Sequence, residues 1–407
     1  MMRIPDFSKR CKDLGLKLSS LQRVEKLLDK EGGSLFLIGG NVRDLILKKR
    51  ISSKPDTVSD LPINKIIECL KDHKIINTKQ GLKHGSVVIY INKNLSIDLT
   101  SMRVDKKTDG RWAETTETDN IELDAQRRDF TINAIYCDMS GNIIDPLKGI
   151  KDLKKLKVKF IGSPEQRIKE DFLRILRFLR FSLGLSGSLD KKGLDACKKL
   201  KKNLRTLSFE RRIQELKKIL LLPNIENKKL LKEIKNILEF SIESKITIKN
   251  FERLCQIEKT FKNQSFLRRI KFLLRNTHKK KLKILNKFSK LEKRRVLEEI
   301  KLPQNNYKKF NYLLYYNDKD VIYDKLIEDF SEKKISQSFF MKLFKITNNF
   351  VKKKNPINGD DLIRLGFENK REFNNVLRNF EEWWIENNFL PKKKECLNFL
   401  KKSLPSS

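Results

Sequence analysis

An α+β fold, with a mixed sheet-and-helix head and an all-α remainder, is predicted by three features of this 407-residue chain. Short apolar runs separated by turn residues fill the first 150 positions. After Asp145-Pro146, apolar residues recur every three or four positions and strand-like alternation almost disappears. Charge divides at the same place. Residues 1–150 hold 26 basic and 21 acidic residues, a net of +5; the rest hold 64 and 31, a net of +33.

The hydrophobic content of 39% is enough for real cores, and the 35% charged content fits amphipathic helices better than broad apolar sheets. No run approaches the ~18 apolar residues of a membrane helix, which excludes an integral membrane protein of helical type. The start, MMRIPDFSKRCKDLGL, lacks the apolar stretch and cleavage site of a secretory signal, so the cytoplasm is the expected compartment. Six scattered cysteines without a CxxC argue against a thiolate zinc site and a disulfide scaffold. Only His73, His84 and His278 are histidines, none spaced as ligand pairs. A bound metal is therefore expected to be a hard, oxygen-ligated cation such as Mg²⁺.

In the head, Leu21–Lys30 has helical spacing and stops at Glu31-Gly32-Gly33. Leu35–Ile38 reads as a buried strand ending in Gly39-Gly40, with a helix starting near Val42. Ser86–Ile91 and Leu95–Thr100 flank Asn92-Lys93-Asn94, a hairpin signature. Phe130–Cys137 and Asn142–Ile144 read as further strands. The helical remainder, punctuated by Pro223, Pro303, Pro356 and Pro391, divides into 151–222, a lysine-rich stretch 223–350, and a terminal unit 351–407. Phe380, Trp383 and Trp384 in the last are expected to be helix core. A cationic body of this kind suits a polyanion, held by counterion release with salt-sensitive, weakly sequence-specific affinity.

Four constellations carry chemistry. Two glycines between strand and helix in Leu37-Ile38-Gly39-Gly40-Asn41-Val42-Arg43-Asp44 let a phosphate approach the backbone, and Arg43 can add a charge-assisted bond. Asp98, on an expected strand, is of the type that holds metal ions in nucleotidyl transfer. The triplet Arg127-Arg128-Asp129 before an apolar run suggests buried or cleft-facing ion pairs. In Glu170–Phe181, Asp171, Arg174, Arg177 and Arg180 recur every three residues along one helix flank. A carboxylate and a guanidinium one turn apart can offer an acceptor and donors to a base edge. Three arginines repelling each other on one track favour an anionic ligand.

Taken in order, GGNVRD, RRDFTINA, DPLKGIKDL and EDFLRILRFLRF resemble the class II tRNA nucleotidyltransferase and bacterial poly(A) polymerase family over about residues 20–222. A weaker likeness continues at NGDDLIRLGF. The resemblance implies a nucleotidyltransferase head (1–150), a base-recognising neck (151–222), a tRNA-binding body (223–350) and a tail (351–407). It implies addition of CCA to tRNA 3′ ends from CTP and ATP without a template, with no membrane and no obligate protein partner. Gly39, Gly40 and Arg43 would hold the triphosphate. Arg128 and Asp129 would contact sugar and phosphates or brace the site. Asp171 and Arg174 would read the base, with Arg177 and Arg180 nearby. The loop from about Val104 to Asp124 resembles the flexible element that helps switch from C to A addition.

One departure stands out. The family follows GGxVRD with an Asp-x-Asp pair that aims both carboxylates at the metals. With a one-residue slip, Lys54 takes the first place and Asp56 the second; without it, Ser53 and Pro55 take both. The resulting expectation is Mg²⁺ held by Asp56 and Asp98, less well than by an intact set. Poly(A) addition and a catalytically impaired RNA-binding paralogue are the alternatives.

Overall fold

The computed structural model describes residues 2–49, 54–76, 85–92, 95–109, 112–185, 188–277, 283–303, 307–367 and 370–402. Ser52, Ser53, His84, His278 and the tip of the expected hairpin at Lys93-Asn94 lie outside them. The chain divides into two compact units, residues 1–244 and 245–407.

In the first unit the strands are β1 (Met2–Arg3), β2 (Leu35–Ile38), β3 (Asp56–Ser59), β4 (Lys74–Ile76), β5 (Ser86–Asn92), β6 (Leu95–Ser101), β7 (Arg103–Asp109), β8 (Trp112–Glu117), β9 (Tyr136–Asp138) and β10 (Asn142–Ile144). Eight of them form one sheet in the order β1-β10-β9-β2-β3-β6-β5-β4, while β7 and β8 make a separate ribbon. Neighbours are antiparallel except β3 and β6, which run parallel. Strand β2 is central and buried along its whole length, which is why Leu-Phe-Leu-Ile is apolar on both faces. The head helices are α1 (Phe7–Asp13), α2 (Leu18–Asp29), α3 (Gly40–Ile46), α4 (Ile63–Cys69), α5 (Ile121–Gln126) and α6 (Gly149–Lys154). Leu18, Leu21, Val24 and Leu28 form the buried stripe of α2.

Two expectations for the head fail. Phe130–Cys137 is not one strand. Phe130 makes a single bridge to Phe160, a tight helical turn covers Thr131–Asn133, and only Tyr136–Asp138 joins the sheet. The Asn133 and Ala134 amides donate to the Phe130 and Thr131 carbonyls at 2.9 and 3.2 Å, so the local chain closes on itself. The alternation of apolar and polar residues there mimics a strand. The stretch from Val104 to Asp124 is likewise no loop: it contains the β7–β8 ribbon and α5. Asn120 caps α5 by accepting from the Glu122 and Leu123 amides.

Helices α7 (Pro164–Glu170), α8 (Leu173–Leu185), α9 (Lys191–Leu200), α10 (Phe209–Leu220) and α11 (Lys228–Ile242) complete this unit. The EDFLRILRFLRF segment is therefore two helices. Asp171 breaks it with an extended backbone (φ −155°, ψ 110°), and its Oδ1 accepts the Leu173 amide at 3.0 Å. Asp171 caps α8 rather than lying on it, as a short acceptor side chain readily does. Ile175, Leu176, Phe178, Leu179 and Leu183 are its buried face. Phe178 stacks on Phe160 (centroids 5.3 Å), which packs on Phe130 (4.9 Å). This aromatic column fixes α8 against the strap around Asp129.

Among its described residues the second unit has helices joined by irregular segments and no strand. Phe380 and Trp384, on the helix Lys370–Glu386, are buried with Ile357, Leu362 and Leu400, and Trp383 packs against them. They are core, as expected. A second centre is polar: Arg268, fully buried, donates to Glu258 and Asp324 at 2.8 Å each, and Arg269 donates to Glu258 at 2.6 Å. None of the six cysteines is in a disulfide and five are buried. Burial pushes the Cys11 thiol up to about 11 and raises the Cys137 and Cys197 thiols, which makes them poor nucleophiles. No helix among the described residues is long and apolar enough to cross a membrane.

Candidate active site

The glycine turn, the floor of the sheet and the α8 flank meet at one cleft of about 600 Å³. Gly39 ends β2 with φ +63°, a conformation that favours glycine, and α3 starts at Gly40. Asp56 on β3 is paired in register with Asp98 on parallel β6, so the two carboxylates project from the same face of adjacent strands. Thr57 Oγ1 donates to the Asp98 carbonyl at 3.0 Å and braces the pair. Protein crowding, and then the Asp98 charge, lift the Asp56 carboxyl above its ordinary range; Arg128, Lys54 and Arg177 offset only part of this. Lys54 sits immediately before β3 with its ammonium 2.6 Å from Asp98 Oδ1. Lys54 stands two residues before Asp56, the spacing that the slipped reading uses.

A continuous relay joins the glycine turn to α8. Arg43 donates to Asp44 Oδ1 and to Asn133 Oδ1, each at 3.2 Å. Asn133 Nδ2 donates to Asp129 Oδ1 at 3.1 Å, and Arg177 Nε donates to Asp129 Oδ2 at 2.6 Å. Burial alone would raise the Asp129 carboxyl, but Arg177 and the Asn133 bond hold it below the usual range. Arg43, Arg177 and Arg180 all lie over the Phe181 ring, at 5.1, 5.4 and 4.1 Å.

A second hub supports the wall. Asp124, fully buried, accepts from Arg127 (2.6 Å), Arg128 (2.7 Å) and the Tyr136 hydroxyl (2.6 Å). Burial works to raise its carboxyl, and the Arg128 and Arg127 charges overcome this, leaving it far below the carboxylate range. Arg128 is thereby fixed as a brace.

The α8 arginines are not a bare, mutually repelling track, contrary to the expectation from spacing. Arg174 pairs with Glu170, Arg177 with Asp129, and Arg180 with Glu215 at 2.7 Å. The partners come from three different elements, so spacing within one helix could not reveal them. Asp171 and Arg174 do not pair with each other. Asp171 Oδ2 accepts from Arg211 Nη2 at 2.8 Å, and Arg174 donates to the Arg167 carbonyl at 3.0 Å. Both nevertheless line the same cleft as Gly39, Gly40, Asp56 and Asp98.

Comparison with known proteins agrees with this arrangement. Residues 35–159 match the poly A polymerase head domain. The human protein named CCA tRNA nucleotidyltransferase 1, mitochondrial, is 29% identical over 410 residues, covering 94% of this chain and 90% of the human one. Residues 35–159 carry that head domain, and the likeness to the human protein runs along nearly the whole chain. The CCA-adding enzyme of Lactococcus lactis (strain MG1363) is 33% identical over 204 residues, covering 49% of this chain and 50% of that protein. The fold is that of the Bacillus stearothermophilus CCA-adding enzyme solved in complex with CTP, with TM-score 0.75 at 21% identity over 95% of this chain and 97% of that one.

The sequence motifs leave out several residues of the cleft. Asn133 and Phe181 sit inside the recognised motifs but read locally as a polar strand position and a helix residue. Arg103 and Arg211 lie outside them. Arg103 opens β7 and lines the cleft, with no hydrogen-bond partner for Nε or Nη1 among the described residues. Burial, reinforced by Arg127, lowers its guanidinium to about 10. Arg211 Nη1 is also without a partner among them. The one available signal was Arg103's position just beyond the Asp98 strand.

Proposed function

We propose that this chain adds CMP, CMP and AMP from CTP and ATP to the 3′ end of tRNA, without a nucleic-acid template and with Mg²⁺. The observation that carries the reading is the in-register pair Asp56 and Asp98 inside a cleft that also presents eight arginines. The human and Lactococcus lactis relatives bear names of this activity, and the first aligns along nearly the whole chain.

The donor set suits a hard cation: burial and then the Asp98 charge already raise Asp56, and a cation between the two carboxylates would relieve both effects. When bound, such an ion supplies charge neutralisation at the reacting phosphate. The chain's residues do the positioning. Arg43, with the Gly39-Gly40 turn, faces the triphosphate. Arg128 and Asp129 brace that wall through Asp124 and Arg177. Asp171 and Arg174 turn toward the incoming base the lone pairs and N–H groups that Arg211 and Glu170 do not use, so protein stands in for a template. The tRNA 3′-oxygen then attacks the α-phosphorus, the bond to the β-phosphate breaks, pyrophosphate leaves with the electron pair, and the hydroxyl proton passes to the carboxylate dyad. The basic remainder, +33 beyond residue 150, would hold the acceptor arm.

Labelled CTP and ATP offered with tRNA lacking its CCA test this. Two C and one A residues per tRNA are expected. Incorporation of A alone would mark a poly(A) polymerase, and tight tRNA binding without incorporation at any Mg²⁺ or Mn²⁺ concentration would mark a binding paralogue; either rejects the reading.

A further inference from the structure

We infer that Lys54 is a tethered cation of the carboxylate dyad, so that Asp56 and Asp98 take up one divalent ion instead of two. The inference rests on the transferase reading above and deepens it.

Nucleotidyl transfer commonly places two divalent ions on strand carboxylates. Here a positive charge is already built in. The Lys54 ammonium lies 2.6 Å from Asp98 Oδ1, within direct ion-pair distance. Its position is set by the backbone as well as by charge. Pro55 separates Lys54 from Asp56, and its carbonyl accepts the Asp98 amide at 3.1 Å. The chain is thus stitched to the Asp98 strand one residue after Lys54, which keeps the backbone of the lysine beside Asp98.

Both partners of the pair are partly exposed, 41% and 39% of their side chains, and pairs of that kind contribute little to stability. The consequence of the contact lies in the charge it brings to the cleft floor. Asp56 and Asp98 carry two negative charges and Lys54 returns one positive. A single divalent ion turns the group from net negative to net positive, the sign that attracts a triphosphate. A second would sit against the ammonium with one Asp98 oxygen already engaged.

Mn²⁺ binding to the full-length chain, followed by electron paramagnetic resonance of the unbound ion, tests the count without any nucleotide. One Mn²⁺ per chain is expected for the native sequence and two for Lys54→Asp. Lys54→Met should keep one site with affinity raised at least about 3-fold, because a nearby like charge is gone. Equal counts in the native chain and Lys54→Asp, no uptake by the native chain, or unchanged affinity in Lys54→Met would each overturn the inference. Lys54→Met should also lower incorporation about 10-fold at saturating Mn²⁺ while Lys54→Arg retains most of it; equal rates for Lys54→Met and the native chain would show that the charge is unused. If the native chain incorporates nothing, the transferase reading fails, and the Mn²⁺ count still decides the role of Lys54.

Discussion

Arg177 Nε lies 2.6 Å from Asp129 Oδ2, joining helix α8 to the strap between α5 and the helical turn at Thr131. Asp129 is buried (7% exposed), and its other oxygen accepts from Asn133 and the Phe130 amide. Through Asn133 the same carboxylate reaches Arg43. One ion pair thus ties helix α8 to the glycine turn.

Arg177→Met should leave Asp129 charged, buried and short of its cation. A loss of about 2 kcal/mol is expected, below the cost at a fully buried pair because Arg177 is one-third exposed. Urea denaturation of the full chain measures it, and an unchanged midpoint would contradict the bracing role.

Two glycines are held by sterics rather than by special dihedrals. A Cβ on Gly149 would stand 2.1 Å from the Thr131 carbonyl oxygen, and one on Gly193 2.8 Å from the Phe178 ring. Backbone cannot yield as a ring can. Gly149→Ala should therefore cost about 3 kcal/mol and Gly193→Ala about 1–2 kcal/mol, in that order of thermal midpoints.

Arg103 sits in the cleft at a cost to stability. Its guanidinium is buried enough to be lowered to about 10, with two nitrogens lacking partners among the described residues. Arg103→Met should keep or raise the melting temperature while weakening nucleotide triphosphate binding about 10-fold, or ~1.4 kcal/mol. Titration calorimetry with CTP and a thermal scan separate the two effects.

Glu328, on the second-unit helix Lys319–Ser331, is pushed up to about 7 by burial; Asp324 and Asp329 add to this, and Lys271 and Lys325 oppose it. Because the folded value exceeds the ordinary 4.5, the native chain binds more protons than the unfolded one between those values. Stability should accordingly fall as pH rises from 4.5 to 7, by at most about 3 kcal/mol from this group. Glu328→Gln should remove that slope, which urea titrations of both chains at pH 5 and 8 would show.

The sheet and much of the cleft were legible because their signals are local. Leu35–Ile38 announces a buried strand by composition, and the glycine pair announces its end. Asp98 lies on a strand, as its alternating neighbours suggest. What could not be read depended on partners far away in the chain. RRDFTINA alternates like a strand, yet Gly149 and Phe160 hold it as a turn. The three-residue spacing of Asp171, Arg174, Arg177 and Arg180 implied one helix, but the Asp171 carboxylate competes for the Leu173 amide and breaks it. Arg103 and Arg211 carry no motif at all, and only the assembled cleft shows what they face.

The parallel pairing of β3 with β6 has a consequence for how the protein matures. Unlike a hairpin, parallel neighbours require the intervening chain to cross over first, so Asp56 meets Asp98 only after distant segments have docked. A half-folded or nascent head therefore lacks the paired carboxylates, and its capacity to process nucleotides should arrive late and all at once.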